Sequence, residues 1–251
     1  MDEVILETKD LCKYFGGIKA LDEVNIKVKK GELLGVIGPN GAGKTTLFNL
    51  ITGFYKPTRG KIIYEGKEIQ GLPPAKIALM GIARTFQIVR PLKRLTVFDN
   101  VLIACGYRNY AGLSFVKRWD REEYFKKAEK IIKEVGLEDY MDMPAGTLPL
   151  GYLRRLEIAR ALALDPKIIL LDEVMSGLSV SEIEEIKALI RKLKVSGLTI
   201  IFVEHNVPVA VELSERMYVL NFGKVIAEGK PEEVIRNKSV IEAYLGEEYA
   251  A

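Results

Sequence analysis

Two groups of residues in this chain have types and spacing suited to chemistry. The first is GPNGAGKTT, from Gly38 to Thr46. It fits the pattern G-x-x-x-x-G-K-[ST], in which glycines let backbone N–H groups turn toward phosphate oxygens without a steric penalty. Gly38, Pro39, Asn40, Gly41, Ala42, Gly43, Lys44, Thr45 and Thr46 are therefore expected to cradle a nucleoside triphosphate. Lys44 is placed to reach the β- and γ-phosphates and the Thr45 hydroxyl to ligate Mg²⁺. A helix starting behind the loop would direct its positive end at the same anion.

The second group is Ile168-Ile169-Leu170-Leu171-Asp172-Glu173, four apolar residues followed by two carboxylates. If that strand ends beside the phosphate loop, Asp172 can hold the hydration shell of Mg²⁺ and Glu173 can accept a proton from attacking water. Two further polar residues are candidates for the same place. His205, the single histidine, follows the apolar run Thr199 to Val203, and Gln87 follows Arg84-Thr85-Phe86. At the carboxyl ends of parallel strands, His205 could polarise the γ-phosphate and Gln87 could approach the metal and the water; taken alone, a single histidine reads as structural and Gln87 as an exposed turn residue.

These residues require a particular scaffold. Leu33 to Ile37, Lys167 to Leu171 and Thr199 to Val203 are short apolar runs, as in strands covered on both faces of a parallel sheet. A helix is expected from Leu47 to Ile51, and another from Ser181 to Val195, where Ile183, Ile186, Leu189, Ile190 and Leu193 recur at helical spacing. Strand, helix, strand at this spacing implies parallel crossovers.

Around this core the pattern changes. Val4 and Leu6, then Val24, Ile26 and Val28, predict two strands with a turn near Gly16-Gly17. Ile62 to Tyr64 predicts another strand. From Leu92 to Gly146 helical patterns dominate, with Glu122 to Val135 the clearest. Gly106 to Trp119 interrupts them and predicts an irregular insertion. Leu153 to Leu164 predicts an amphipathic helix, Met217 to Leu220 and Lys224 to Glu228 a hairpin, and Pro231 to Leu245 a last helix.

Composition sets the outer limits. The chain has 251 residues and a net charge of +3, too little to argue for nucleic acid or a bare membrane surface as partner. No apolar run approaches the roughly 18–20 residues needed to span a bilayer. The opening MDEVILETKD lacks a signal-peptide pattern, which predicts a protein kept in the cytoplasm. Cys12 and Cys105 stand in no ligand pattern and are expected to be neutral thiols.

Taken together, the motifs resemble the ATPase subunits of ABC transporters, over nearly the whole chain. The order matches: aromatic loop, phosphate loop, glutamine loop, signature, acidic strand end, aspartate loop and histidine switch. ITGFYKPTRGKI, GIARTFQ, LTVFDNVLIA and RRLEIARAL resemble the LivG-type subgroup that serves branched-chain amino acid importers. The resemblance implies an α/β fold: a P-loop NTPase with a RecA-like core, an antiparallel β subdomain and an inserted α-helical subdomain. The core and β subdomain would take residues 1–91 and 154–251, and the helical subdomain 92–153.

It also implies partners and roles. Two copies, or this chain and a sister ATPase, would close head to tail over two ATP molecules. Two transmembrane permease subunits would dock near Gln87 to Asn100, at the cytoplasmic face of a prokaryotic membrane, fed by an external substrate-binding protein. Phe15 matches the position that stacks on adenine, in preference to Tyr14. Gly151 matches the signature glycine, offered in trans to the partner's ATP. The signature stands here as Leu148-Pro149-Leu150-Gly151-Tyr152 where LSGGQ is usual. Val174 replaces a usual proline and Ser179 a usual acid. By that resemblance these departures leave this chain's own ATP and Mg²⁺ groups intact and bear on how it completes its partner's site across the dimer. Two other readings share the motifs: an ATP-binding regulatory subunit with weak hydrolysis, and a soluble non-transport ABC ATPase.

Overall fold

The computed structural model describes residues 3–86, 90–110 and 121–248. The chain opens with an antiparallel sheet. β1 (Val4–Phe15) turns at Gly16-Gly17 into β2 (Ile18–Val24), and β3 (Lys27–Lys29) returns to pair with β1. Three strands thus stand where the apolar pattern predicted two. The cause is β2, whose mixed Ile-Lys-Ala-Leu-Asp-Glu-Val shows no clean alternation, and β1, whose register shifts between Leu11 and Tyr14.

β4 (Leu33–Ile37) leads through the glycine loop into α1 (Lys44–Ile51). β5 (Arg59–Tyr64) and β6 (Lys67–Glu68) complete the antiparallel sheet, in the order β2-β1-β5-β6 with β3 beside β1. A short α2 (Pro74–Met80), not read from the sequence, precedes β7 (Ile82–Arg84). Its signal was the pair Pro73-Pro74, proline being suited to the first helical turn.

α3 (Val97–Tyr110), α4 (Arg121–Glu134) and α5 (Leu150–Leu162) pack on one another. The expected irregular segment from Gly106 is still helix as far as Tyr110; its remainder to Trp119 lies outside the described residues. α5 begins three residues earlier than expected, with Pro149 as its extended N-cap, and it is not amphipathic. Leu156, Ile158 and Ala159 are buried on one side, Arg154 and Glu157 on another.

β8 (Ile168–Asp172), α6 (Val180–Val195) and β9 (Thr199–Val203) form the predicted strand, helix, strand unit. α7 (Val207–Leu213) follows, capped by the Asn206 side chain, which accepts from Val209 N–H at 3.2 Å. β10 (Arg216–Asn221) and β11 (Lys224–Gly229) make the expected hairpin. The single helix expected from Pro231 is two, α8 (Pro231–Val234) and α9 (Lys238–Glu248). Asn237 breaks it: its side chain accepts from Ser239 N–H at 2.9 Å, a local bond that competes with helix continuation.

The second sheet has the order β11-β10-β4-β9-β8-β7, parallel throughout except for β11. Side chains alternate across its strands. Leu33 and Ile37 join a core with α3, α4, α5 and α6, while Leu34 and Val36 join a second core with α1 and the antiparallel sheet. Both faces are covered, which is why these strands are apolar without interruption. Cys12 and Cys105 are buried and free. Among the described residues no helix is long and apolar enough to cross a membrane.

A candidate nucleotide site at the carboxyl ends of the parallel strands

The carboxyl ends of β4, β9 and β8 lie side by side, because β9 is hydrogen-bonded to both of the others. The segments leaving them converge on one cleft of about 420 Å³. Asn40 to Thr46 form its floor, Glu173 and His205 one wall, and Ile18, Lys19, Ala20 and Phe222 the mouth.

The floor depends on glycine at two positions. Gly38 has φ 150° and Gly43 φ 107°. A Cβ on Gly38 would lie 2.1 Å from the Leu220 carbonyl oxygen, and one on Gly43 2.6 Å from that of Ala20. The hairpin turn between β10 and β11 presses on this loop. Gly223 N–H donates to the Ala42 carbonyl at 3.0 Å, and Asp22 N–H donates to the Gly223 carbonyl at 2.8 Å. Gly43 caps α1 with no side-chain acceptor and no acid stands in the first turn, so no carboxylate there offsets the positive end of the helix at the cleft. Lys44 is buried, and its Nζ donates to the carbonyls of Gly38 at 2.5 Å and Pro39 at 2.8 Å. The loop is thereby wound around the ammonium group.

Asp172 is only 2% exposed. Its Oδ2 pairs with Arg84 Nη2 at 2.6 Å, and its N–H donates to Thr85 Oγ1 at 3.2 Å. Its buried Oδ1 has no hydrogen-bond partner among the described residues. A buried carboxylate oxygen left in this way calls for a cation or an ordered water. Arg84 is steadied by Asn49 Oδ1 at 2.7 Å.

Glu173 is buried in the left-handed region, with φ 51°. A non-glycine residue held there costs on the order of 1–3 kcal/mol, a strain typical of functional positions. The Glu173 N–H donates to the Val203 carbonyl at 3.0 Å, which fixes the turn. Oε1 then lies 2.5 Å from His205 Nε2. Behind them Glu204 is buried and accepts from Met175 N–H at 3.1 Å. Burial, more than the nearby Glu173 and Asp172 charges, pushes its carboxyl up to about 7.

Most of the residues expected from the sequence meet here. Gly38 and Pro39 shape the loop from behind, and Asp172 sits beneath Glu173. Phe15 does not line the cleft. Its ring takes the edge of Tyr55 at 5.3 Å, with Lys13 Nζ 4.9 Å from its centroid, and it is 42% exposed. Tyr14 is tied to Asp22 at 2.7 Å, a bond that pushes its phenol up to about 12. Gly151 is away from the cleft at the start of α5, where a Cβ would lie 2.6 Å from Glu182 Oε1. Glu182 is the N3 residue of a capping box with Ser179, which accounts for a serine in that place. Gln87 lies outside the described residues.

Sequence reasoning missed Phe222, Glu204 and Arg84 as site residues. Phe222 is 86% exposed in the left-handed region, at φ 44°. An aromatic residue in the middle of a hairpin turn was the available signal. For Glu204 it was a charge directly after a fully apolar strand.

Residues 21–176 match the family model described as ABC transporter, and residues 224–250 the model described as branched-chain amino acid ATP-binding cassette transporter. The high-affinity branched-chain amino acid transport ATP-binding protein BraF of Pseudomonas aeruginosa is 41% identical, covering 98% of this chain and 100% of its own. Among solved structures, the ADP conformation of an ATP-binding cassette of an ABC transporter superimposes with a TM-score of 0.86 at 37% identity, covering 97% of this chain and 99% of that one. A dimeric cassette in a post-hydrolysis state, bound to ADP and Pi, gives 0.79 at 30% identity, over 90% and 99% of the two chains.

Proposed function

Since the chain belongs to the ABC transporter family of ATP-binding proteins, we propose that it is the ATP-hydrolysing subunit of an importer for branched-chain amino acids, working at the cytoplasmic face of the membrane. The observation that carries the reading is the convergence of the glycine loop, Glu173 and His205 on one cleft. The match of residues 224–250 and the similarity to BraF support the cargo class.

The loop amides and Lys44 would bind the β- and γ-phosphates of ATP. Lys44 has only to exchange its present carbonyl acceptors for phosphate oxygens, so little chain rearrangement is needed. The site fits Mg²⁺, because Asp172 Oδ1 is buried without a partner and Thr45 lines the cleft beside the phosphate position. Thr45 would hold the ion directly and Asp172 through water, and Gln87 would complete the set. Bound Mg²⁺ supplies charge neutralisation on the phosphate oxygens.

Glu173 would take the proton from water as that oxygen attacks the γ-phosphorus. The bond from γ-phosphorus to the bridging oxygen breaks, and ADP leaves with the electron pair. His205 Nε2, beside Glu173 Oε1, is placed to hold that carboxylate and to contact the γ-phosphate. Phe222 would meet the adenine from the mouth, or Phe15 from the β1–β2 hairpin whose second strand lines that mouth.

Similarity to the dimeric cassette supports a pair with a second copy or a sister ATPase, and we take the two to meet head to tail. Gly151 would then face the partner's ATP, with Leu150 (40% exposed) beside it. The permease subunits would press into a groove of about 400 Å³ between α2, β7, α3 and α5. Its rim includes Phe54 and Phe86, exposed rings in edge contact at 5.6 Å, together with Leu92 and Ile103. An exposed aromatic pair beside an apolar groove suits a protein partner.

The test is reconstitution with two permease subunits and a substrate-binding protein in vesicles. Leucine, isoleucine or valine should stimulate ATP hydrolysis and be taken up. Hydrolysis that ignores all three would overturn the cargo assignment. ATP-driven closure without turnover would favour the regulatory subunit instead.

A further inference from the structure

Glu173 stands at the head of a turn that continues through Val174, Met175 and Ser176. None of these residues fixes the backbone as a proline would. Glu173 is nevertheless held at φ 51°, where a residue with a side chain does not stay without support. Val174 and Met175 are buried in the core with α5 and α6, so an amide released there would find no water. The support comes from three consecutive residues at the end of β9. The Val203 carbonyl accepts from Glu173 N–H at 3.0 Å. Glu204 Oε1 accepts from Met175 N–H at 3.1 Å. His205 Nε2 lies 2.5 Å from Glu173 Oε1. The turn closes on itself by one further bond, from Ser176 N–H to the Glu173 carbonyl at 3.2 Å.

Of the three, Glu204 is chemically out of place. It is 3% exposed, directly after a strand that is buried throughout. Burying a carboxyl group is costly. Arg154 favours its ionised form, but the charges of Glu173 and Asp172 oppose it. Glu204 has no part in binding the phosphates or the metal, and Glu173 is the base. What its carboxyl group does is hold one buried amide, two residues after that base. Residues 173 to 175 are thus pinned at both ends, by the Val203 carbonyl at the first amide and by Glu204 at the third. Glu173 cannot swing back to an ordinary helical or extended conformation without breaking one of these two bonds.

We propose that Glu204 is a positioning residue for the base: by holding the buried Met175 N–H it keeps the turn from relaxing, and so keeps the Glu173 carboxylate aimed into the cleft. His205 steadies that carboxylate at its tip, and Glu204 steadies the backbone behind it. The two are neighbours in the chain, so one short segment sets both. The role requires an acceptor of this reach and does not require a charge. It rests on the reading of Glu173 as the base of ATP hydrolysis.

The test compares three variants of the full chain. Glu204→Gln keeps an acceptor at the same reach, Glu204→Leu removes it, and Glu204→Asp keeps the charge but is one methylene short. ATP hydrolysis is measured in the reconstituted transporter, and binding of a non-hydrolysable ATP analogue on the chain alone. Glu204→Leu and Glu204→Asp should lose about ten- to a hundredfold in kcat, the scale of a misplaced reacting group. Their KM and analogue affinity should stay within about twofold, and so should the kcat of Glu204→Gln. By hydrogen exchange, the Met175 amide should be faster in the Leu and Asp variants and parent-like in Glu204→Gln. A role in stability alone would act equally with or without the base. In a Glu173→Gln background, Glu204→Leu should therefore cause no further loss of kcat. If Glu204→Leu does not fold, Glu204→Asp carries the same comparisons. The proposal is overturned if the Leu and Asp variants turn over at the parent rate, if Glu204→Gln is as slow as they are, or if the loss is the same size in the Glu173→Gln background. Failure of the reading beneath it shows separately, as parent-rate hydrolysis by Glu173→Gln with Glu204 intact.

Discussion

Glu173 Oε1 lies 2.5 Å from His205 Nε2, across a turn in which Glu173 is held in the left-handed region at φ 51°. The strain aims the carboxylate into the cleft, and the imidazole stops it from swinging away. Glu173→Gln keeps the shape and loses the base. Hydrolysis should fall by about 10²–10⁴-fold, the usual worth of general acid–base catalysis. ATP binding should persist, and the ATP-bound dimer should accumulate, as seen by size-exclusion chromatography. Turnover at the parent rate would remove Glu173 from the role of base.

Lys44 reaches its two carbonyls from inside the loop, and phosphate oxygens would replace them. A hydrogen bond to a charged group is worth roughly 1.5–3 kcal/mol, so Lys44→Ala should weaken ATP binding about ten- to a hundredfold. Titration with a fluorescent ATP analogue checks this. An unchanged dissociation constant would be incompatible with phosphate binding by this loop.

Phe15 and Phe222 make competing claims on the adenine. Phe15 has the expected position in the chain, yet its ring is engaged with Tyr55 and Lys13. Phe222 lines the cleft, and its backbone strain has no packing purpose, since the side chain is 86% exposed. Aromatic stacking on a base is worth about 1–3 kcal/mol. Phe222→Ala should therefore weaken ATP binding about tenfold while leaving inorganic triphosphate binding unchanged. If Phe15→Ala alone does so, the base lies against the β1–β2 hairpin.

Glu204 makes stability depend on pH in an unusual direction. Its carboxyl titrates near the ordinary 4.5 when unfolded and at about 7 when folded. Between those values the folded chain binds more protons than the unfolded one, so stability falls as pH rises through this window and then levels. Glu204→Gln cannot ionise and still accepts from Met175 N–H. It should match the parent at pH 5 and exceed it at pH 8 by on the order of 1–3 kcal/mol in urea unfolding. Equal stability of the two at both pH values would show that Glu204 is not desolvated.

Which parts of this were visible in the residues alone follows from the range of the interactions. The glycine loop was legible because its spacing encodes a local backbone shape. β4, β8 and β9 were legible because burial on both faces leaves an apolar run. Asp172, Glu173 and His205 could be placed because each stands within two residues after the end of such a run. The hydrogen bonds by which Arg154, Glu157 and Arg160 of α5 hold the backbone groups of Phe86 and Arg90 were not legible. In sequence those three side chains look like the wet side of an amphipathic helix, and only the fold brings backbone groups some 70 residues away against them. The break at Asn237 was hidden for the opposite reason, since one local side-chain bond outweighed a helical pattern that otherwise continued. The second hairpin near the cleft was read correctly as a hairpin, but nothing in its own residues shows that it rests on the phosphate loop.

That contact has a consequence for biosynthesis. The Ala42 carbonyl is met by Gly223 N–H, and Gly223 in turn by Asp22 N–H. The loop therefore touches residues that leave the ribosome roughly 180 positions after it. A nascent chain that has emerged only as far as α6 holds every glycine of the loop and both carboxylates, yet lacks the turn that the loop leans on. The lining of the cleft is complete only when the β10–β11 hairpin is in place, because Phe222 and the donor to the Ala42 carbonyl both come from it.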